Sequence, residues 1–422
     1  MRIALVCQEY FDYAKINNEI KPSKAHGGFG FLTRLKAEAL AKSGYDVHVL
    51  TASENNGLRA ARLFELNGVI VHTFRIDNGA PQSFIKKAWT GVIGNRKNIE
   101  FENILKDIRP DIIQYEDAPK IIFQNQNLSI PQLLIFQDLQ DYYDINLVTD
   151  SEKQYQNIPS SGVLGYDIKP KDYKFRGTFL INLHYRKNYV APLKKFIKTA
   201  KTLHLFAEAK FISQKSYDLL NLEKRPDVLL NPINIPDITE QKSDMPSLVW
   251  IARWDSVKRP DVALEIAKRI PNCDFYFVGK ASENGMNYQR IENYLIRRFS
   301  RIKNIHILGF ISEEEKVRLL SKAWGFLNTS IREGLPSTFL ESLAERTPII
   351  SYVDPDHYVS NWGIKVDYNI ESYVTAIKRL IDEELFKKLG VAARNFVIEN
   401  HETTRVVKRH LQIYKEYLDE VQ

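Results

Sequence analysis

The chain of 422 residues contains only two cysteines and three methionines. Cys7 and Cys273 each sit inside a short apolar run that reads as a strand, which argues for buried thiols rather than a disulfide framework or a metal site. Long hydrophobic runs are missing as well. No stretch approaches the ~18 apolar residues that a spanning helix needs, and Ile3–Cys7, the one apolar run near the start, is too short for a signal-peptide core. A cytoplasmic chain is expected, with any membrane contact peripheral and at the inner face. Neither G-x-G-x-x-G nor a P-loop ending in Gly-Lys-Ser/Thr occurs, so the dinucleotide and ATPase fingerprints are both lacking. The nine histidines show no pair at ligand spacing with a third partner nearby. No resident metal or cofactor is therefore expected, and no nucleic-acid partner, since no DNA- or RNA-binding module is recognisable.

With 44% hydrophobic and 26% charged residues the chain has an ordinary globular composition. Its length points to two domains. Short apolar runs alternate with helical patterns from the first residues: strand Arg2–Cys7, a long polar loop, a helix from about Phe31 to Ser43, Gly44 as its cap, then strand Val47–Leu50. Further strands are expected at Val69–Phe74, Asp111–Tyr115, Gln132–Phe136 and Lys210–Ser213, with a helix at Ile99–Ile108. This is the rhythm of a parallel doubly wound sheet. At Ile235–Ser247 the text becomes Pro- and charge-rich, as a linker would be, and afterwards the rhythm restarts with strands near 248–252, 274–278, 305–308, 324–328 and 348–352. The expected division is 1–236, 247–402, and a terminal helix 403–422 that either packs on the second domain or crosses back to the first.

The net charge of +7 is unevenly placed. Lys169–Lys201 carries ten Lys/Arg against the single acid Asp172, and the remaining 49 basic and 51 acidic residues nearly cancel. From Leu193 the apolar Leu193, Phe196, Ile197 and Ala200 fall on one helical face, with Lys194, Lys195, Lys198 and Lys201 on the others. Two readings stand side by side: an amphipathic helix lying on an anionic bilayer, and a core helix with a solvated lysine face.

Three constellations carry chemistry. The first is His26-Gly27-Gly28-Phe29-Gly30, between the first strand and the first helix, where glycines let a backbone approach a phosphate and a helix start offers free amides. The second places Arg253 and Lys258 on one loop between a strand and a helix opened by Pro260-Asp261, two cations suited to a diphosphate. The third is Arg332-Glu333-Gly334-Leu335-Pro336-Ser337-Thr338-Phe339-Leu340-Glu341, a tight loop leading into a helix, its amides free for an anion and its two carboxylates for hydroxyls. Thr338-x-x-Glu341 also fits a capping box, which would make Glu341 a helix starter and leave Glu333 unexplained. Asp354-Pro-Asp356 offers an Asp-x-Asp metal reading beside a plain turn reading.

Together these elements resemble the GT-B glycosyltransferases of family 4, retaining enzymes that use nucleotide-sugars. The resemblance runs over nearly the whole chain and is strongest from Leu248 to Tyr417, with the Arg…Lys pair, Gly309-Phe310 after a strand, and the Glu-x7-Glu pair Glu333 and Glu341. It implies an α/β fold of two Rossmann-like doubly wound domains facing each other across a cleft, the nucleotide bound mostly by the second. It further implies that Arg253 and Lys258 neutralise the diphosphate, that Glu341 holds the ribose hydroxyls, and that Glu333 contacts the donor sugar. Backbone at Gly334, Leu335, Ser337 and Thr338 would line sugar and phosphate, Phe310 and Ile311 would lie near the base, and Gly28 would approach the diphosphate. Where many members have a His-Asp pair after a central strand of the first domain, this chain reads Gln137-Asp138. The acceptor-side role then falls to Gln137, Asp138 or a substitute such as His26.

The expectation is a retaining, metal-independent hexosyltransferase acting on a nucleotide-diphosphate sugar and a glycan or lipid-linked acceptor, in contact with anionic membrane through 169–201. A nucleotide-sugar epimerase of the same fold, and a non-catalytic module that docks on anionic surfaces, are the alternatives.

Overall fold

The computed structural model describes residues 1–7, 10, 13–16, 19–22, 27–52, 62–75, 98–117, 120–123, 128–139, 148, 150–156, 186–237, 241–281 and 288–421. It divides into two α/β units. The first comprises Met1–Leu139, Leu183–Asn234 and His401–Gln422, and the second Gln140–Asn182 with Ile235–Asn400.

The first unit is built on strands β1 (Arg2–Cys7), β4 (Asp46–Ala52), β5 (Arg62–Leu66), β6 (Val69–Phe74), β7 (Ile112–Glu116), β8 (Gln132–Phe136), β9 (Leu203–Ala207) and β10 (Asp227–Val228), while β2 (Tyr13–Ile16) and β3 (Glu19–Pro22) form a separate hairpin. The sheet order is β10-β9-β8-β7-β1-β4-β6-β5, parallel except for the β5–β6 pair. Ile3, Ala4, Leu5 and Val6 are fully buried, as the unbroken apolar run of a parallel strand covered on both faces requires. Helices α1 (Gly27–Lys42), α2 (Ile99–Ile108), α3 (Ala191–Thr199) and α4 (Lys210–Leu220) belong to this unit.

The second unit holds β11 (Ser247–Ile251), β12 (Asp274–Val278), β13 (Ile305–Gly309), β14 (Gly325–Asn328), β15 (Ile349–Ser351) and β16 (Gly363–Lys365), all parallel, in the order β13-β12-β11-β14-β15-β16. Its helices are α5 (Pro260–Lys268), α6 (Tyr288–Phe299), α7 (Glu313–Lys322), α8 (Ser337–Ala344), α9 (Tyr358–Trp362), α10 (Ile370–Asp382) and α11 (Leu385–His401). The chain goes from β11 to β12 on one side and later to β14 on the other. The strand order therefore reverses between β11 and β14, and ligands of such sheets bind at the carboxyl ends of the strands beside that reversal.

Helix α12 (Thr403–Val421) lies in the first unit, where Val407, Ile413, Tyr414 and Tyr417 join the core around β1, β4 and β7. The Tyr414 hydroxyl donates to Gln114 Oε1 at 2.6 Å.

Several expectations need correction. The strand placed at Lys210–Ser213 is the start of α4, with Ile212, Ser213, Ser216 and Leu220 buried at helical spacing; the strand is β9, seven residues earlier, paired with β8. Helix α1 starts at Gly27 rather than near Phe31, so the Gly27-Gly28-x-Gly30 sequence lies in the helix and not in a loop before it. Residues 148 and 150–156, which fall within the expected first domain, group with the second. The reason is visible at 150–156, a helical stretch whose Tyr155 is fully buried in the second core and whose Ser151 Oγ donates to the Ser256 carbonyl at 2.5 Å. The linker is more than a solvated spacer too. Lys242 within it is half-buried, its Nζ donating to the Ala323 carbonyl at 2.7 Å, the Glu345 carbonyl at 3.0 Å and Thr347 Oγ1 at 2.7 Å. Removal of that ammonium from water brings its pKa down to about 7.

Candidate active site

The site forms at the carboxyl ends of β11 and β14, from the loop on each. After β11 the chain runs through Ala252–Arg259 before α5 begins at Pro260. Asp255 shapes this loop, its Oδ1 accepting from the amides of Val257 (3.0 Å) and Lys258 (2.9 Å), the turn chemistry at which a short carboxylate excels. Arg259, at φ 53°, is buried and grips Asp261 through two bonds of 2.9 and 2.6 Å. It is thereby committed to the fold, while Arg253 is 64% exposed and Lys258 keeps 20% of its side chain exposed. The loop is pinned from β12 by Gly279 at φ 121°, where any Cβ would fall 1.9 Å from the Ala252 carbonyl oxygen. Only glycine allows that approach.

The loop after β14 is stitched to the first. Thr329 Oγ1 donates to the Lys258 carbonyl at 2.9 Å and accepts from Trp250 Nε1 at 2.9 Å, and the Ile331 amide donates to the Val257 carbonyl at 3.0 Å. This brings Glu333 against Lys258, whose Nζ donates to both carboxylate oxygens at 2.6 and 2.7 Å. Asn328 Nδ2 stands 3.4 Å from the same carboxylate. Burial works to raise the Glu333 pKa, and Lys258 outweighs it, so the carboxyl lies below its ordinary value and is ionised at neutral pH.

Helix α8 starts at Ser337 with Pro336 as its cap residue, and no side chain caps its first turn. Thr338 is therefore inside the helix and the capping-box reading of Thr338 and Glu341 fails. The backbone around Gly334, Leu335, Ser337 and Thr338 ends in an uncapped helix start, which favours an anion. Glu341 lies one turn further in, with its side chain 10% exposed. Its counter-charge is Lys316 of α7, 3.0 Å away, which the sequence reading missed because nothing in the local text ties the two residues together. Burial still leaves the Glu341 pKa above its ordinary value, Lys316 offsetting only part of the effect. At the end of β13, Gly309 adopts φ 67° and turns the chain into Phe310, whose ring is 58% exposed, followed by the half-buried Ile311.

The structure thus brings Arg253, Lys258, Glu333, Gly334, Leu335, Ser337, Thr338, Glu341, Phe310 and Ile311 to one end of one sheet. The first-unit candidates fare differently. His26 lies outside the described residues, and Gly28 sits in the first turn of α1. Gln137 is fully buried and donates to Glu116 Oε2 at 2.6 Å, so it faces a buried ion pair and is not presented to an acceptor. Asp138 beside it is half-buried. In the basic segment, residues 169–185 lie outside the described residues. The lipid-facing role given to α3's apolar face does not hold: Leu193 and Phe196 are fully buried, and Phe196 stands edge-on to Tyr115 at 6.1 Å. Asp354 spends its carboxylate on the amides of Val359 (2.8 Å) and Ser360 (3.2 Å), the turn-and-cap use of Asp-Pro-Asp. Among the described residues no helix is long and apolar enough to cross a membrane.

Comparison with known proteins gives the site a context. Residues 233–396 match the family model of glycosyl transferases group 1. No curated protein matches the chain in sequence. Among solved structures, sucrose-phosphate synthase from Thermosynechococcus elongatus superposes with a TM-score of 0.66 at 14% identity, covering 99% of each chain. WaaG, a glycosyltransferase involved in lipopolysaccharide biosynthesis, gives 0.61 at 14% identity over 98% of this chain and 99% of its own. HepE from Anabaena, in complex with UDP and glucose, gives 0.61 at 11% identity over 99% and 100%. At such identities the likeness is one of fold, which all three share with this chain. Residues 233–396 thus form a glycosyl transferases group 1 domain, and the chain that carries them is a glycosyltransferase of GT-B fold.

Proposed function

We propose that the protein is a retaining hexosyltransferase that takes its sugar from a nucleotide-diphosphate sugar without a catalytic metal and passes it to a glycan or lipid-linked acceptor. The observation that carries this reading is the Lys258–Glu333 pair, held at 2.6–2.7 Å where the strand order reverses, with the uncapped start of α8 following it. In this reading Lys258 and Arg253 take the charge of the departing diphosphate together with the α8 amides. The bond from sugar C1 to the phosphate oxygen breaks with its electron pair going to the diphosphate. The acceptor oxygen bonds C1 on the vacated face, and its proton passes to the diphosphate. Glu333, kept ionised by Lys258, positions the donor sugar, Glu341 takes the ribose, and the exposed ring of Phe310 is placed for the base. HepE was solved with UDP and glucose, which makes a uridine nucleotide the first probe.

Anionic contact belongs to this proposal in altered form. Because α3 buries its apolar side, only its cations are on offer: Lys195 and Lys198 are exposed and Lys194 half-exposed. Lys194 and Lys198 border a groove of about 570 Å³ whose rim adds Lys224 and Arg225. An anionic acceptor or bilayer at the cytoplasmic face would be met electrostatically, with salt dependence.

The test is a thermal-shift panel with UDP-glucose, GDP-mannose and ADP-glucose, followed by release of nucleoside diphosphate from the sugar that binds. A ligand at a hundredfold its Kd stabilises by about 2.7 kcal/mol, which such a panel resolves. Product with the donor's anomeric configuration, formed equally in EDTA, is the expected result. An inverted anomer would remove the retaining assignment, and loss of activity in EDTA the metal-free one. If none of the three sugars shifted the transition, the donor reading itself would fall.

A further inference from the structure

Glu341 presents a physical problem that the donor reading alone leaves unsolved. Its side chain is 10% exposed on the second turn of α8. A carboxylate in such a place either takes up a proton or finds a counter-charge. The counter-charge comes from a different helix: Lys316 of α7, 14% exposed, reaches Glu341 Oε2 at 3.0 Å. Its Nζ also lies 2.8 Å from Glu313 Oε2 on its own helix. Lys316 and Glu313 are the charged groups that face Glu341, so one cation is shared between two carboxylates and the cluster keeps one net negative charge. Such a cluster retains acceptor capacity after the ion pair is made. A protonated Glu341 would instead present a hydroxyl donor and a weaker acceptor.

We propose that Lys316 is a positioning residue of the donor site, which holds Glu341 ionised and oriented so that its remaining lone pairs accept hydroxyl groups of the nucleotide ribose. The inference rests on the reading that Glu341 faces the donor. It differs from a plain helix clamp in what it predicts. A clamp would weaken the packing of α7 on α8 when removed and would leave the pH dependence of donor binding where it was. A positioning cation sets the protonation state of Glu341, whose pKa burial already lifts above the ordinary carboxylate value with Lys316 in place. Without Lys316 it rises further, so that donor affinity falls as the pH is lowered and recovers on the alkaline side.

The experiment uses the full chain and whichever of UDP-glucose, GDP-mannose and ADP-glucose the wild type binds, with Kd measured from pH 5.5 to 8.5. For Lys316→Met we expect a loss of about tenfold or more at pH 6, the scale of one charge-assisted hydrogen bond, shrinking as the pH approaches 8.5. Lys316→Gln is the second neutral replacement should the first not fold. Lys316→Arg restores the wild-type profile, and Glu341→Gln is weak at every pH. In turnover the loss lies in KM for the donor, with kcat close to wild type. A neutral variant whose affinity runs parallel to wild type across the whole pH range overturns the inference and leaves the donor reading standing. A Glu341→Gln variant that binds as tightly as wild type removes Glu341 from the donor site and the inference with it. A wild type that binds none of the three sugars overturns the donor reading and this inference with it.

Discussion

The two doubly wound units each place a lysine against a carboxylate near the carboxyl end of a central strand, and they treat the pair in opposite ways. In the first unit Lys36 of α1 meets Glu116 at the end of β7 at 2.5 Å, both side chains 1% exposed. Gln137 donates to Glu116 Oε2 and Gln114 to Oε1, both at 2.6 Å, so that each carboxylate oxygen is taken by a protein donor. In the second unit Lys258–Glu333 and Lys316–Glu341 are 10–20% exposed and stand beside loops and a helix start that no side chain caps. A buried pair whose carboxylate is fully taken up specifies the fold. An ion pair left open at the surface of a strand reversal is ready for a ligand.

The sharpest way to break this contrast is to remove one partner from each unit. Leaving a buried ammonium without its counter-charge costs about 3–5 kcal/mol. Glu116→Ala is accordingly expected to lower the unfolding free energy by that amount, read by denaturant titration. The surviving folded protein would bind its donor with unchanged Kd, because the donor groups belong to the other sheet. A variant as stable as wild type would show that the closed network contributes nothing. Lys258→Met is the counterpart. Loss of one preorganised charge on the leaving group costs about 10²–10³-fold in rate, so nucleoside diphosphate release should drop by that factor, with a loss of stability smaller than that of Glu116→Ala because the pair is more exposed. Release within threefold of wild type would return the Lys258–Glu333 pair to a structural role.

A smaller effect separates binding from charge. Phe310 is 58% exposed at the end of β13, so its removal costs the fold little. Stacking of a base on an aromatic ring contributes about 1 kcal/mol or more. Phe310→Ala is expected to raise the donor KM roughly fivefold while kcat stays constant, the pattern of lost uniform binding. An unchanged KM would move the base elsewhere.

The same contrast explains what could be read from the sequence. In the second unit the chemistry is local: Arg253 and Lys258 sit five residues apart on one loop, and Glu333 to Glu341 span one loop and its helix, so text and site coincide. The parallel sheets were legible for a similar reason, since strands such as Ile3–Cys7 are buried on both faces and leave unbroken apolar runs. The rest depends on long-range pairing that no window of residues displays. Lys36 meets Glu116 across 80 positions, and Lys316 looks like one more surface lysine of an amphipathic helix until α8 is packed against it. The misplaced strand at Lys210 arose because Lys-Phe-Ile-Ser is too short to show a period; burial of Ser216 and Leu220 further on makes it a helix. The excursion of 150–156 into the second core turns on the single buried Tyr155, a residue type common at surfaces.

A third carboxylate, in neither class, tests the rule from the other side. Glu345, just beyond α8, is 2% exposed, and neither carboxylate oxygen has a hydrogen-bond partner. Burial pushes its pKa up to about 7, with Arg394, Lys242 and Arg346 only partly opposing it. A group whose pKa is higher folded than unfolded contributes its stability in full below the unfolded value, near 4.5, and loses it as the pH rises through the folded value, near 7. Glu345→Gln removes that loss. The variant should match wild type at pH 5 and melt higher at pH 8. The gain should be about 1 kcal/mol, less than the shift alone implies, because the amide that replaces the carboxylate is itself short of partners. Melting curves at the two pH values decide the matter. A variant no more stable at pH 8 than at pH 5 relative to wild type would mean that Arg394 and Lys242 hold Glu345 ionised, which would place it with Glu116 among the satisfied pairs.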